Sequence, residues 1–325
     1  MLKLPVNHSV ISSEALGPVL IDLYEIGNII ECRFLMNGLN DTYLLKTSSG
    51  KYILRIYKAN WRNKAEVLFE VELLNHLIMK EIPVASPLIK RDGGYLTEIV
   101  ASEGQRFAVL FTFAEGGYSD TKEGCDLYGE QVARMHLAMD DFKSDQLRFS
   151  IDLNHLLDQP IQSIRNSLAH RPEDMDYLDS LSKLLWNRVD EISSELEWGV
   201  CHGDLHGYNV HFHENSLTHF DFDCGGYGWR AYDISVFLWS KVRGKQKEHF
   251  NNELWSTFLE SYQKNKVLSE YDLKAIPLFV AIREIWLMGL HIGSSHIWGG
   301  GWQNDHYFDT NLLFLRNWCE FHSIN

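Results

Sequence analysis

The chain places Asp204, Asn209 and Asp221 in a run that constrains its fold more than any other feature: His202-Gly203-Asp204-Leu205-His206-Gly207-Tyr208-Asn209, then Phe220-Asp221-Phe222-Asp223. The surrounding C-terminal sequence reads as one helix after another. Between Val200 and Asp223, however, short strand-like stretches flank three oxygen-bearing side chains. A carboxylate, an amide five residues on and a second carboxylate twelve residues beyond that supply, in order, a group to sit beside an attacking hydroxyl and two hard oxygen donors for Mg²⁺. Phosphoryl transfer uses those groups in that order. Protein-kinase catalytic segments follow the pattern His-Arg-Asp-Leu-x-x-x-Asn and later Asp-Phe-Gly. Here Gly203 stands for the Arg and Asp223 for the Gly.

On this reading Asp204 is the catalytic base, able to orient an acceptor hydroxyl and take up its proton. Asn209 and Asp221 are the Mg²⁺ ligands. Each residue also has a plainer account, as a turn cap, a turn residue and a strand-end carboxylate, but the three together in sequence favour the chemical one. If the strand continues, Asp223 alternates onto the same side as Asp221, where it either binds a second ion or faces solvent. His202 reads as structural, packed under the loop, and His206 as a neighbour of the base. Five histidines (His202, His206, His211, His213, His219) with Cys201 and Cys224 nearby raise zinc as a rival, yet no ligand spacing typical of zinc occurs. Asp233 opens a helix, where it either caps that helix or accepts hydrogen bonds from the catalytic-loop backbone.

Upstream, Ile29–Leu35, Tyr43–Thr47, Tyr52–Tyr57, Tyr95–Val100 and Phe107–Phe113 read as strands, with a helix capped by Asn63 running to about Lys80. Alternation in Tyr52-Ile53-Leu54-Arg55-Ile56-Tyr57 puts Arg55 mid-strand, and a cation there needs a partner. The Asn63 helix carries Val67, Val71, Leu74 and Ile78 as an apolar stripe. Glu70 flanks that stripe and Glu72 points nearly opposite. Glu70 is therefore the expected partner of Arg55, in the pairing that holds nucleotide phosphates in kinases, and Glu72 is expected to be solvated. Asn37–Thr42 stands where a phosphate-covering loop belongs, though it is not glycine-rich.

After Ala114-Glu115-Gly116 helices dominate. The expected organisation is a nucleotide-binding lobe over 1–113 and a catalytic and acceptor-binding lobe over 114–325. Lys and Arg balance Asp and Glu at 12 each through Phe113, and the remainder carries 18 against 32, the whole net charge of −14. Such a surface disfavours nucleic acid and anionic membranes. The apolar stretch Ile276–Ile292 has Arg283 and Glu284 at its middle and reads as a buried helix. Met1–Ser12 lacks a long apolar core, so no secretory signal is expected, and five scattered cysteines fit a reducing cytoplasm.

These residues, with Tyr232-Asp233 and weaker support from Phe69–Leu74 and Ile82–Pro87, resemble the aminoglycoside phosphotransferase and choline kinase superfamily, in its branch of homoserine-kinase-like and stress-response-kinase-like proteins. The likeness spans about residues 35 to 240. It implies an α+β, two-lobed protein-kinase-like fold, with a small antiparallel-sheet N-lobe and a larger, mostly helical C-lobe. It also implies ATP or GTP as donor, Mg²⁺, and a hydroxyl acceptor. Arg55 stands where many relatives carry Lys; it keeps the charge but spreads it over a planar fork. The aromatics Trp239, Trp255, Trp286, Trp298, Trp302, Tyr307 and Trp318, with Glu284, Asp305 and Asp309, suit a small amine-bearing acceptor, a metabolite or antibiotic. The alternatives are a protein Ser/Thr kinase of the stress-response type and a non-catalytic nucleotide-binding module.

Overall fold

The computed structural model describes residues 4–324, so the first three residues of the Met1–Ser12 stretch lie outside the described residues. The chain divides into two compact units: residues 1–115 with 143–148 and 218–220, and residues 116–142, 149–217 and 221–325. The architecture is α+β, with an antiparallel sheet in the N-terminal region and helices in the C-terminal region.

In the first unit α1 (Ser13–Leu23) precedes β1 (Ile29–Asn37), β2 (Asn40–Thr47) and β3 (Gly50–Tyr57). Helix α2 (Lys64–Met79) and the strands β4 (Thr97–Ala101) and β5 (Gly104–Thr112) follow. The sheet runs β1-β2-β3-β5-β4, with every neighbouring pair antiparallel. Alternation sorts its faces. Tyr43, Leu45, Leu54, Ile56, Ala108 and Leu110 share one core with Leu16 and Leu20 of α1. Arg55, opposite Val109 in the central strand pair, faces the other way.

Asn63 starts α2 with a reciprocal cap: its side chain accepts from the Glu66 N–H and the Glu66 side chain accepts from the Asn63 N–H. The stripe expected on this helix is rotated. Val67, Val71 and Leu74 are buried, but Ile78 is exposed, and Phe69, Leu73 and Leu77 complete the buried set. Glu72 is not solvated as expected. It accepts from Ser144 Oγ at 2.5 Å and Gln146 Nε2 at 3.2 Å, anchoring the 143–148 segment that returns to this unit.

Arg106 is fully buried. It donates to Asp41 Oδ2 at 2.7 Å, to the Tyr57 carbonyl at 2.9 Å and to the Ser9 carbonyl at 2.8 Å. It thereby ties three stretches of chain that are distant in sequence.

The second unit contains α3 (Lys122–Met139), β6 (Ser150–Ile151), α4 (Gln159–Arg165), α5 (Pro172–Asp190) and β7 (Trp198–Cys201). The hairpin β8 (Val210–His213) and β9 (Ser216–His219) leads to β10 (Gly226–Trp229), which pairs antiparallel with β7 and parallel with β6. Then come α6 (Arg230–Val242), α7 (Glu253–Asn265), α8 (Glu270–Gly293), the single turn α9 (Ser295–Trp298) and α10 (Asp305–Phe321).

Helix α8 is long and apolar enough by composition to cross a membrane, but it is an interior helix packed by α4 and α6. Its buried residues include Arg283 and Glu284. Ahead of α4, whose second residue is Pro160, the chain makes a separate π-helical turn, Asn154–Asp158. Proline lacks the N–H that a continuous helix would need there. Helix α7 starts at Glu253, where the Asn252 side chain caps it by accepting the Trp255 N–H.

Replacing Asp41 with Ala should remove the shorter ion pair of buried Arg106, leaving it Glu103, whose Oε1 lies 3.5 Å from Nη1, and cost about 1.5–3 kcal/mol of stability. Denaturant unfolding of the variant measures this, and a loss under about 1 kcal/mol would mean the guanidinium finds another partner.

Candidate active site

Strand β7 delivers the chain directly into the loop that carries Asp204. The loop is shaped by one buried carboxylate on the first turn of α6. Asp233 accepts from the His202 N–H and the Gly203 N–H, both at 2.7 Å, and its Oδ2 also meets His136 Nε2 at 2.9 Å. His136 is held in turn by the Tyr262 hydroxyl at 2.8 Å. Gly203 takes φ +79°, and a Cβ there would run into the Cys224 carbonyl, so a side chain fits neither the backbone nor the space. That glycine replaces the arginine of the protein-kinase pattern. The His202 ring is buried, lies 4.3 Å from the Phe222 ring, and accepts the Asp204 N–H on Nδ1. Phe222 directly follows Asp221, so the turn bearing the second carboxylate packs against the start of the catalytic loop.

Asp204 itself is 17% exposed, enough for a small molecule to reach. Its Oδ1 is paired with Arg283 of α8. Its Oδ2 receives the Asn209 Nδ2 at 3.1 Å and lies 3.2 Å from His206 Nε2. Burial alone would raise the Asp204 carboxyl, but Arg283, with His206 beside it, outweighs burial and holds it well below the usual carboxylate range.

Arg283 is 2% exposed and also donates to the Gly203 carbonyl and the Tyr232 hydroxyl. Its guanidinium lies 4.3 Å from the Trp286 ring and 5.2 Å from the Trp239 ring. Sequence reasoning used Arg283 only to mark α8 as interior. The available signal was the one that singled out Arg55: a cation in an apolar stretch needs a partner.

The Asn209 amide nitrogen is committed, since it donates to the Asp204 carbonyl at 2.9 Å as well as to the Asp204 carboxylate. That leaves Oδ1 as an oxygen donor, which fits a hard cation. Asp221 has φ +66° and ψ +58°, the left-handed region that non-glycine residues rarely adopt. The strand therefore ends before it. Phe222–Cys224 form a 3₁₀ turn, so Asp223 does not alternate onto the side of Asp221 and is instead buried. Among the described residues no three His, Cys, Asp or Glu side chains form a metal-holding group. One amide oxygen and one carboxylate would suit an ion that takes its other ligands from phosphate and water.

In the N-terminal unit Arg55 Nη1 meets Glu70 Oε1 at 2.5 Å, and the Tyr57 hydroxyl donates to Glu70 Oε2 at 2.7 Å. The structure thus brings Arg55 and Glu70 together, with Phe111 4.9 Å beneath the guanidinium. The expected phosphate-covering loop is a two-residue hairpin, Gly38-Leu39. Buried Lys58 holds it by donating to Asn37 Oδ1 and the Gly38 carbonyl.

A cavity of about 290 Å³ opens beside the catalytic loop. Its lining includes His206, Trp239, Arg243, Glu284 and Asn311. Of the aromatics and acids expected to receive an acceptor, Trp239 and Glu284 are here and the others are not. Asp305 and Asp309 form surface ion pairs with His170 and Arg171, Trp318 is buried with its N–H on the Pro277 carbonyl, and Trp255 packs on Phe258.

Residues 32–267, well over half of the chain, match the APH family described as the phosphotransferase enzyme family. An uncharacterized protein of Deinococcus radiodurans is 36% identical over 320 residues, covering 98% of this chain and 93% of that protein. A homoserine kinase of Rhodospirillum rubrum is 30% identical over 266 residues, covering 78% of each. Among solved structures, a microcompartment-associated aminopropanol kinase superposes with a TM-score of 0.78 at 20% identity over 96% of this chain and 97% of its own. Amicoumacin kinase, in complex with AMP-PNP, Ca²⁺ and its antibiotic, gives a TM-score of 0.71 at 22% identity over 96% and 94%.

The His136–Asp233 pair predicts an acid sensitivity. Burial, with Arg230 adding to it, lowers His136 to about 4. The unfolded chain protonates this ring near pH 6.5, so between pH 6.5 and 4 the unfolded state binds more protons than the folded one. Stability is full above that window and falls as pH drops through it, by at most about 3 kcal/mol from this group. Thermal unfolding across pH 7 to 4 should therefore show a shallower acid slope in His136→Gln than in the wild type. Identical slopes would contradict the assignment.

Proposed function

The chain belongs to the APH phosphotransferase enzyme family, and from that premise we propose that it moves the γ-phosphoryl group of ATP or GTP, with Mg²⁺, to a hydroxyl of a small amine-bearing metabolite or antibiotic. As a family member it is a kinase that phosphorylates hydroxyl groups of small molecules. The observation that carries the fuller reading is the joint geometry of Asp204 and Asn209. One amide nitrogen holds the carboxylate in place and leaves its own oxygen as a cation donor. The AMP-PNP and Ca²⁺ held by amicoumacin kinase support a nucleoside triphosphate donor with a divalent ion.

In this reading Asp204 accepts the acceptor's hydroxyl hydrogen on Oδ2, while Arg283 keeps Oδ1 occupied and the group ionised. The hydroxyl oxygen supplies the electron pair of the new P–O bond. The bond from the γ-phosphorus to the bridging oxygen breaks, and its electrons leave on the nucleoside diphosphate. The hydroxyl proton passes to Asp204 and from there to solvent. A carboxylate so strongly paired is a weak base. Asp204 thus chiefly aims the hydroxyl and takes the proton late, which suits a loose transition state with little nucleophile bonding. Mg²⁺, bound by Asn209 Oδ1 and Asp221, would neutralise charge on the phosphates. Arg55, fixed by Glu70, would hold the nucleotide phosphates.

Asp204→Ala should lower kcat by about 100- to 10,000-fold with nucleotide affinity retained, measured by product formation and by titration calorimetry. Unchanged turnover refutes the role. Asp221→Ala should remove the Mg²⁺-dependent part of nucleotide affinity, and normal affinity would reassign the ligand. Arg283→Gln should move the acidic limb of the kcat/KM profile to higher pH, because Asp204 loses the cation that lowers it. A limb that stays in place would mean that another group sets it.

A further inference from the structure

We infer that the cavity beside His206 contains an oxyanion subsite built on Arg243, so that the acceptor carries a carboxylate or similar small oxyanion besides its hydroxyl. This rests on the phosphotransferase reading of the site.

Arg243 closes the C-terminal end of α6, and its guanidinium is held by protein along one edge. Nε donates to both oxygens of Glu284, at 3.3 and 3.0 Å, and Nη2 donates to Asn311 Oδ1 at 2.9 Å. Both partners are themselves fixed. Glu284 is 1% exposed and accepts the Trp239 N–H at 2.6 Å. The Asn311 amide nitrogen donates to the Tyr307 carbonyl at 2.6 Å. The Arg243 Nη1 N–H pair and one Nη2 N–H are left over. Among the described residues nothing accepts from Nη1, and the side chain is 36% exposed where it lines the cavity. A planar cation oriented in advance, with an open fork of donors, matches the two oxygens of a carboxylate.

The charge count points the same way. Glu284, the carboxylate lining the cavity, is already paired with Arg243, and Asp204 is paired with Arg283. The charged group with donors still open is therefore a cation.

The lining offers the acceptor two kinds of contact. His206 reaches Asp204, where the hydroxyl belongs. Arg243 and Asn311 offer and receive hydrogen bonds. At about 290 Å³ the space lies at the small end of ligand pockets, which favours a compact metabolite over a multi-ring antibiotic. With the hydroxyl near Asp204, the class becomes a small hydroxylated oxyanion.

The test is kcat/KM across a panel of small primary alcohols sorted into cations, zwitterions and anions. The panel includes homoserine and 3-aminopropan-1-ol, which differ by the carboxylate alone, and 4-hydroxybutanoate, which lacks the amine. The best acceptors should carry an oxyanion and exceed their partners without one by at least about tenfold. Arg243→Gln should erase that gap while leaving the nucleotide KM unchanged, with Arg243→Lys restoring part of it. The wild-type comparison stands even where a variant fails to fold. Equal or better turnover of the amino alcohols, or a gap that survives Arg243→Gln, overturns the subsite and leaves the kinase reading intact. No turnover of any panel member with nucleotide and Mg²⁺ present overturns the kinase reading, and the subsite falls with it.

Discussion

The shape of the loop that carries Asp204 depends on one buried carboxylate, Asp233. Asp233 is fully buried, and a buried charge is tolerated only when hydrogen bonds replace its water. It takes them from two consecutive N–H groups of the catalytic loop and from His136. Those bonds fix where the chain turns after β7, and the turn demands a residue without a side chain at position 203. The next residue is Asp204, whose direction is thus set before any ligand arrives. Arg283 then reaches in from α8 and settles the protonation state of that carboxylate. Two buried charges on different helices determine what the loop does, and each helix must pack correctly for the loop to be right.

Much of this was legible in the sequence, and the successes share a cause. The Arg55–Glu70 pair followed from alternation along a strand and the angular spacing of a helix, both local rules that tertiary context did not override. The Asn63 cap and the interior character of α8 followed from equally local signals. The failures were places where the backbone left its regular period. Asp223 would share a side with Asp221 only on a continuing strand, and the left-handed turn at Asp221 ends that alternation. Glu72 was expected in water because its helix was considered alone, whereas a segment some seventy residues later returns to it.

The cavity beside His206 was the least legible element. Its walls come from the catalytic loop, α6, α8 and α10, so no single stretch of sequence announces it. Composition singled out aromatics and acids of the C-terminal region, of which Trp318, Trp255, Asp305 and Asp309 have structural partners of their own. Arg243 and Asn311 drew no notice, because neither residue type is unusual at a helix end or on a helix face. Only the hydrogen-bond accounting around Glu284 shows that the cation, and not the acid, has donors to spare.

A crystal structure with Mg²⁺ and a non-hydrolysable nucleoside triphosphate would test the central claim most directly. The account predicts one ion with Asn209 Oδ1 and an Asp221 oxygen each at about 2.1 Å, and Asp204 outside its coordination shell, still paired with Arg283. An ion bound elsewhere, or one that takes Asp204 as a ligand in place of Asn209, would contradict it.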